Sequence, residues 1–358
     1  MTKPPPSRTA LAMIALLTAG LSALAACGSK SSAATLDLAA ALPEQVPSGT
    51  VIRIGDPIIQ ADLQASGLDK DLAAAGVQVA WANLSGGPQT IQAFRGNKLD
   101  CGAVADIPSL FAAWTGTSTK IVFQAVTVDP LKYPTYELGV APGTKVASLA
   151  DLRGKKIAYS AGQAQGALVL RVLQKAGLTQ KDVTLVDMTS TTDSYMTALG
   201  SKAVDVAPLG ITQVGVYQHK YAGSSTLPTG IRDDASTLYC LTKSVQDAGK
   251  AAALKTYVGI RTKALLWQND HPQEYAKAYL EASQGLSAAD AQAYLAVHGK
   301  VGIPATWDNA QARLQATADL LATEQDHKKL DVSTLSDRRF EKVEAAAAGS
   351  DVVTGDAA

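Results

Sequence analysis

Strand and helix alternate along the first half of this chain, then the alternation starts again. Val51-Ile52-Arg53-Ile54 is a short β-branched strand ending at Gly55-Asp56-Pro57, and residues 77–81 form a second that ends at Ser85-Gly86-Gly87-Pro88. A helix over about 88–95 leads into a small-residue strand at 99–105, closed by Asp106-Ile107-Pro108, and further strands are expected at 121–126 and 137–140. From about 142–151 the pattern repeats: strands at 157–159, 183–186 and 203–207, with helices over 165–176 and 193–199. The order β-α-β argues for an α/β fold with parallel strands covered by helices. One echo supports two similar halves: Gly96-Asn97-Lys98-Leu99-Asp100 before one strand resembles Gly200-Ser201-Lys202-Ala203-Val204-Asp205 before another.

After the strand Leu238-Tyr239-Cys240-Leu241 the character changes. Residues 246–269, 271–283, 288–298 and 307–323 carry apolar side chains at helical spacing. These helices must pack on a sheet already laid down, because one face of each is apolar. About 290 residues of body exceed one ordinary domain and suit two.

The N-terminus reads as an export signal. Lys3 and Arg8 precede an uncharged apolar run from Ala10 to Ala26, a pattern of n-region, h-region and small-residue cleavage site spanning residues 1–26. Leu24-Ala25-Ala26-Cys27 resembles a bacterial lipobox, which implies lipidation of Cys27 and a protein held on the outer face of the cell membrane or in the periplasm. Residues 27–49 are rich in Ser, Ala and Pro and read as a flexible spacer; residues 346–358 read as a disordered tail.

Removing residues 1–26 leaves 30 basic and 32 acidic side chains, a net charge of −2. That balance is no footprint for a polyanion, so no nucleic-acid partner is expected. His219, His271, His298 and His327 are scattered, with no H-E-x-x-H, no G-x-S-x-G and no Walker loop. No metal, cofactor or catalytic residue is therefore assigned. With Cys27 set aside, Cys101 and Cys240 remain as an even pair, either bridged or buried as two thiols.

Three motif runs carry a resemblance. They are Gly86-Gly87-Pro88 with Ala93-Phe94-Arg95-Gly96-Asn97-Lys98-Leu99-Asp100, Asp106-Ile107-Pro108 and Phe111-Ala112-Ala113; residues 148–158; and residues 330–340. Together they are similar to the substrate-binding proteins of ABC importers for aliphatic sulfonates, taurine and nitrate, over nearly all of 50–342. The resemblance implies a two-lobe type II periplasmic-binding fold with two crossover strands and a helical C-terminal part packed on lobe one. Lobe one would hold 50–142 plus 236–345, and lobe two 143–235. It also implies a small-molecule ligand trapped by hinge closure, an ABC permease with its ATPase as partners, and a monomer rather than an enzyme. The implied topology sets Cys101 and Cys240 on neighbouring strands, which favours a disulfide.

In such sheets ligands lie beyond the carboxyl ends of the strands. The residues there are Asp56, Ser85, Gly86, Gly87 and Asp106 in lobe one, and Ser160, Gly162, Gln163, Thr192, Asp193, Pro208 and Gly210 in lobe two. Glycines before helices offer backbone N–H groups to an oxygen; Asp56 and Asp106 offer acceptors to a ligand N–H or O–H. No Lys or Arg stands at a predicted strand end. Gln163-Ala164-Gln165-Gly166 replaces the Ser-Ser-X-His type stretch of sulfonate binders, and Pro208-Leu209-Gly210-Ile211-Thr212 replaces their Trp-Asp-Pro. A neutral or amine-bearing molecule or a heterocycle thus stays as open as a sulfonate. So does a different class of function, an exported enzyme or a ligand sensor on the same scaffold.

Overall fold

The computed structural model describes residues 35–84, 86–191 and 193–354; the export signal, Cys27, Ser85 and Thr192 lie outside them. In chain order the strands are β1 (Val51–Gly55), β2 (Gln78–Trp81), β3 (Cys101–Val104), β4 (Thr119–Thr127), β5 (Tyr136–Val140) and β6 (Lys156–Tyr159). They continue with β7 (Thr184–Asp187), β8 (Val206–Gly210), β9 (Ser225–Pro228), β10 (Ser236–Leu241), β11 (Val301–Pro304) and β12 (Val352–Val353). Seven form one sheet in the order β12-β11-β4-β10-β3-β1-β2, and five form another in the order β7-β6-β8-β5-β9.

Within each sheet a parallel core meets antiparallel strands. β1 pairs in parallel with β2 and β3, and β6 with β7 and β8, whereas β10 runs antiparallel between β3 and β4. The chain passes between the sheets twice, through residues 128–135 and 229–235. These passages grip each other: Thr127 N donates to Asp234 Oδ2 at 2.7 Å and Thr135 N to Asp233 Oδ1 at 3.3 Å. Burial pushes the Asp233 carboxyl up to about 7, and neighbouring Asp234 adds to the shift.

Local chemistry sets the helix ends. The helix Pro57–Ser66 opens with Asp56 accepting from Ile59 N at 3.3 Å and Pro57 in its first turn, and it stops at Gly67 in the left-handed conformation, φ 77°. The long helix Ala248–Asp270 begins where Asp247 accepts from Lys250 N at 2.9 Å. The C-terminal helices cover the seven-stranded sheet, and the helix Asp308–Glu324 also packs on the helix Ala164–Lys175 of the other lobe. One apolar cluster therefore joins Leu110, Leu168, Leu173 and Leu314.

Cys101 and Cys240 sit directly opposite each other on β3 and β10, Cα atoms 3.9 Å apart, joined as a disulfide.

Both expected flexible ends differ from the reading. Residues 35–49 are not a free spacer: Leu42 is buried, Leu36, Leu38 and Val46 pack on the core, and Leu36 N donates to Gln246 O at 2.6 Å. Their spaced leucines and valine give the segment an apolar face, which overrides its Ser/Ala/Pro composition. The expected tail is likewise ordered up to residue 354. Helix Glu341–Ala348 contributes buried Ala348, and Val352–Val353 pairs in parallel with Ile303–Pro304. A two-residue strand leaves no period to detect.

Candidate functional site

A cavity of about 560 Å³ lies between the two sheets, lined from both lobes. It opens where the parallel strands end. From the first lobe come Ala103, Val104 and Ala105 at the end of β3, Gly86 and Gly87 after β2, and Pro108. From the second come Gln163, Ala164 and Gln165 after β6, Ser190, Thr191 and Asp193 after β7, and Thr212 and Gln213 after β8. A third wall is Gln284–Asp290, from the C-terminal helical region.

Close packing makes particular residues necessary here. A Cβ on Gly87 would stand 2.4 Å from Pro108, so only glycine lets the two strand-end turns meet. A Cβ on Gly166 would stand 2.1 Å from Ser160 O, so glycine lets the helix Ala164–Lys175 seat against the end of β6. Gln163 ties the loops of its own lobe. Its Oε1 accepts from Ser160 Oγ at 2.5 Å and Ser190 N at 2.8 Å, while its Nε2 donates to Ser190 O at 3.1 Å. Gln165 Nε2 donates to Ser190 Oγ at 3.2 Å.

Of the residues expected at the site, Gly86, Gly87, Gln163 and Asp193 line the cavity. Ser85 and Thr192 lie outside the described residues. Asp56 does not face the cavity. Its carboxylate caps a helix and pairs with Arg261 Nε at 2.9 Å, with both side chains almost fully buried. Asp106 is buried too, behind the lining. Burial pushes its carboxyl up, while Arg171 and Arg313 oppose that shift. Ser160 and Gly162 support from behind, one through Gln163 and the other against Phe111. Pro208 is held in β8 opposite Leu138, and Gly210 N donates to Gln213 Oε1 at 3.1 Å.

Among the aromatic side chains near the strand ends, Tyr136 lines the cavity. Its hydroxyl is pushed up by burial, with Asp233 and Asp106 adding to the shift. Tyr195 and Tyr217 are core residues, and Tyr217 OH donates to Val140 O at 2.8 Å. Trp114 stacks on His327 at 4.2 Å between ring centres. Sequence reasoning missed Met196, Val216 and the wall Gln284–Asp290, since no motif in the helical region marks residues that reach back to the strand ends.

Asp290 sits in the first turn of the helix Ala288–Val297, where its Oδ2 accepts from Ser287 Oγ at 2.7 Å. Its Oδ1 lies 3.1 Å from Nδ1 of His219, on the helix Ile211–Lys220 of the other lobe. The cavity is thereby bridged at one side. Among the described lining residues there are two carboxylates, Asp193 and Asp290, and no Lys, Arg, His or Cys. No group of three or more His, Cys, Asp or Glu suited to a metal ion occurs among the described residues, and no described helix is long and apolar enough to cross a membrane.

Comparison with known proteins places this geometry in a lineage. A family model described as "NMT1/THI5 like" matches residues 72–286. A curated Escherichia coli (strain K12) protein named for aliphatic sulfonates binding is 33% identical over 106 residues, 30% of this chain and 32% of that protein. The match thus spans about a third of that relative's length. The crystal structure of the periplasmic aliphatic sulphonate binding protein SsuA from Escherichia coli superposes with a TM-score of 0.68 at 22% identity, covering 82% of this chain and 92% of that one. The desulfurization enzyme DSZB superposes with a TM-score of 0.56 at 17% identity, covering 82% and 98%. The two sheets and their double connection are those of the periplasmic-binding-protein fold, and that fold hosts an enzyme as well as binding proteins.

Proposed function

The chain belongs to the NMT1/THI5-like family, and on that footing we propose that it is an extracytoplasmic solute-binding protein that captures a small polar molecule and delivers it to an ABC importer. The observation that carries this reading is the cavity between the strand ends of two lobes joined by two chain passages. A ligand touching both walls favours the closed arrangement, because it gains contacts from each lobe only when they meet. Permease and ATPase would meet the closed form, and a lipid on Cys27 would keep the protein at the membrane. Metabolic labelling with palmitate should mark the wild-type chain and not C27A.

The rival reading is an enzyme, since DSZB shares the fold. Acyl transfer, hydrolysis or desulfurization by a side-chain nucleophile needs that nucleophile beside a base. The described lining supplies no Cys or His, and Ser287 Oγ donates to Asp290, a carboxylate already facing His219 across the lobes. This chemistry favours capture over turnover.

The test is a thermal-unfolding screen against sulfonates, taurine, nitrate, amines, vitamins and heterocycles. A ligand at 100 times its Kd should stabilise the protein by about 2.7 kcal/mol. For a chain of this size that is a rise in Tm of roughly 5–10 °C. A hit recovered unchanged after prolonged incubation supports capture; a hit that is converted shifts the reading to the enzyme.

A further inference from the structure

The solute-binding reading leaves the class of ligand open, and the cavity's charge bears on it directly. Two carboxylates line the space, Asp193 from one lobe and Asp290 from the C-terminal wall on the other. No described Lys or Arg joins them. The usual substitute for a cation at an oxyanion is a helix N-terminus, worth about half a positive charge. Four of those ends are weakened here, whereas the helix Ala164–Lys175 starts at Gln163 with no acidic residue in its first turn. The helix Ala288–Val297 carries Asp290 in its own first turn, and Asp193 stands at the N-cap of Ser194–Gly200. The helix Gly87–Arg95 has Pro88 in its first turn, which removes one N–H donor. At the helix Ile211–Lys220, Gly210 N is taken by Gln213. Of the lining side-chain amides, Gln163 and Gln165 donate to Ser190.

Acceptors are what the site has in surplus. Asp193 is exposed to the cavity, makes no capping bond, and stands free to accept from a bound molecule. Asp290 keeps part of its carboxylate exposed, and its protein partners are a hydroxyl and a neighbouring imidazole. We propose that the cleft selects a molecule bearing a positively charged nitrogen group, received between Asp193 and Asp290, and rejects alkanesulfonates that lack one. This rests on the solute-binding reading and narrows its ligand.

Calorimetric titration of the purified chain with butylamine, 3-aminopropanesulfonate and butanesulfonate tests it. The expected result is binding of butylamine or 3-aminopropanesulfonate, weakened at least tenfold in D193N and in D290N and reduced by added salt, with no binding of butanesulfonate. Asp193 is exposed and makes no capping bond, so D193N keeps the fold and isolates the charge. Butanesulfonate binding that D193N and D290N leave unchanged or tighten would overturn the charge selection while solute capture stands. Failure of all three probes would also overturn it. Solute capture itself would then be judged by the wider thermal screen, whose uncharged heterocycles and vitamins are independent of these carboxylates.

Discussion

Asp100 and Asp205 do the same job in the two lobes, but not with the same support. Each follows a helix that ends in a turn with a non-glycine residue at positive φ, Asn97 at 52° and Lys202 at 59°. Asp100 N donates to Arg53 O at 2.9 Å and its Oδ2 accepts from Arg53 N at 2.9 Å; Asp205 N donates to Lys156 O at 2.8 Å and its Oδ2 accepts from Lys156 N at 2.8 Å. Even the carbonyls match, accepting from Leu241 N and Ala141 N at 2.9 Å each. Beyond that the lobes part. Asp100 also receives the Arg53 guanidinium, Lys250 Nζ at 2.7 Å and Ser244 Oγ at 2.8 Å, and its side chain is 1% exposed. Asp205 remains half-buried beside the backbone of Lys156. Two of the extra partners of Asp100, Ser244 and Lys250, come from the C-terminal helices, and the disulfide also lies in that lobe. One lobe is thus built as a platform and the other as the bare repeat, which is the division of labour a closing cleft needs.

The largest test of that division is the disulfide. It closes a sequence separation of 139 residues that contains the whole five-stranded sheet. Loop-closure entropy for a loop beyond 100 residues is about 5 kcal/mol, and measured losses run at about 2–5 kcal/mol. Denaturant titration of C101S/C240S should therefore show a loss near the top of that range, and a loss below about 1 kcal/mol would remove the covalent bond from the list of what stiffens the platform.

Next comes the pair of aspartates. Burial opposes ionisation of Asp100, but its bonds to Arg53, Lys250 and Ser244 outweigh that and hold its carboxyl below the usual range. D100A strips a buried network of its acceptor and should cost about 3–5 kcal/mol, whereas D205A gives up mainly a backbone hydrogen bond and should cost about 1 kcal/mol. The pH dependence of stability tests Asp100 further. A carboxyl lower in the folded than in the unfolded state contributes stability that is present above its unfolded value near 4 and is lost as pH falls through the folded one. D100N should flatten the acid limb of the stability profile. Equal losses of stability in D100A and D205A would mean the lobes are not unequal in this respect.

The echo between these aspartates was legible in the sequence, as was the alternation of strand and helix, because both are local patterns. Periodicity could not reveal β9, an edge strand closed by Pro228, or β12, two residues long. The strand-end rule found Gly86, Gly87, Gln163 and Asp193, whose place depends only on where a strand stops. It misplaced Asp56 because the partner that turns its carboxylate inward, Arg261, lies 205 residues further on. It missed Gln284–Asp290 for the same reason: a wall supplied by a distant helix is a tertiary fact. Pattern says where a turn lies, and only packing says which way its side chain faces.

The smallest expected effect bears most directly on motion. His219 on the five-stranded lobe and Asp290 on the C-terminal wall meet at 3.1 Å with the histidine 72% exposed. An exposed contact of this kind is worth about 0–1 kcal/mol, so H219A should shift Tm by no more than roughly 2–4 °C. Its consequence for binding is different, because in the proposed closing motion the contact forms only when the lobes meet. Losing up to about 1 kcal/mol from the closed form alone lowers the closed fraction and weakens apparent affinity by up to about fivefold. Small-angle scattering of unliganded H219A should report a larger radius of gyration than wild type. S244A gives the converse: it removes a bond to Asp100 deep in the platform, so it should lower stability and leave affinity and radius unchanged. If H219A instead lowers stability and spares affinity, the contact belongs to the resting architecture, and closure must be governed by the crossing segments, where Asp233 and Asp234 hold the two passages together.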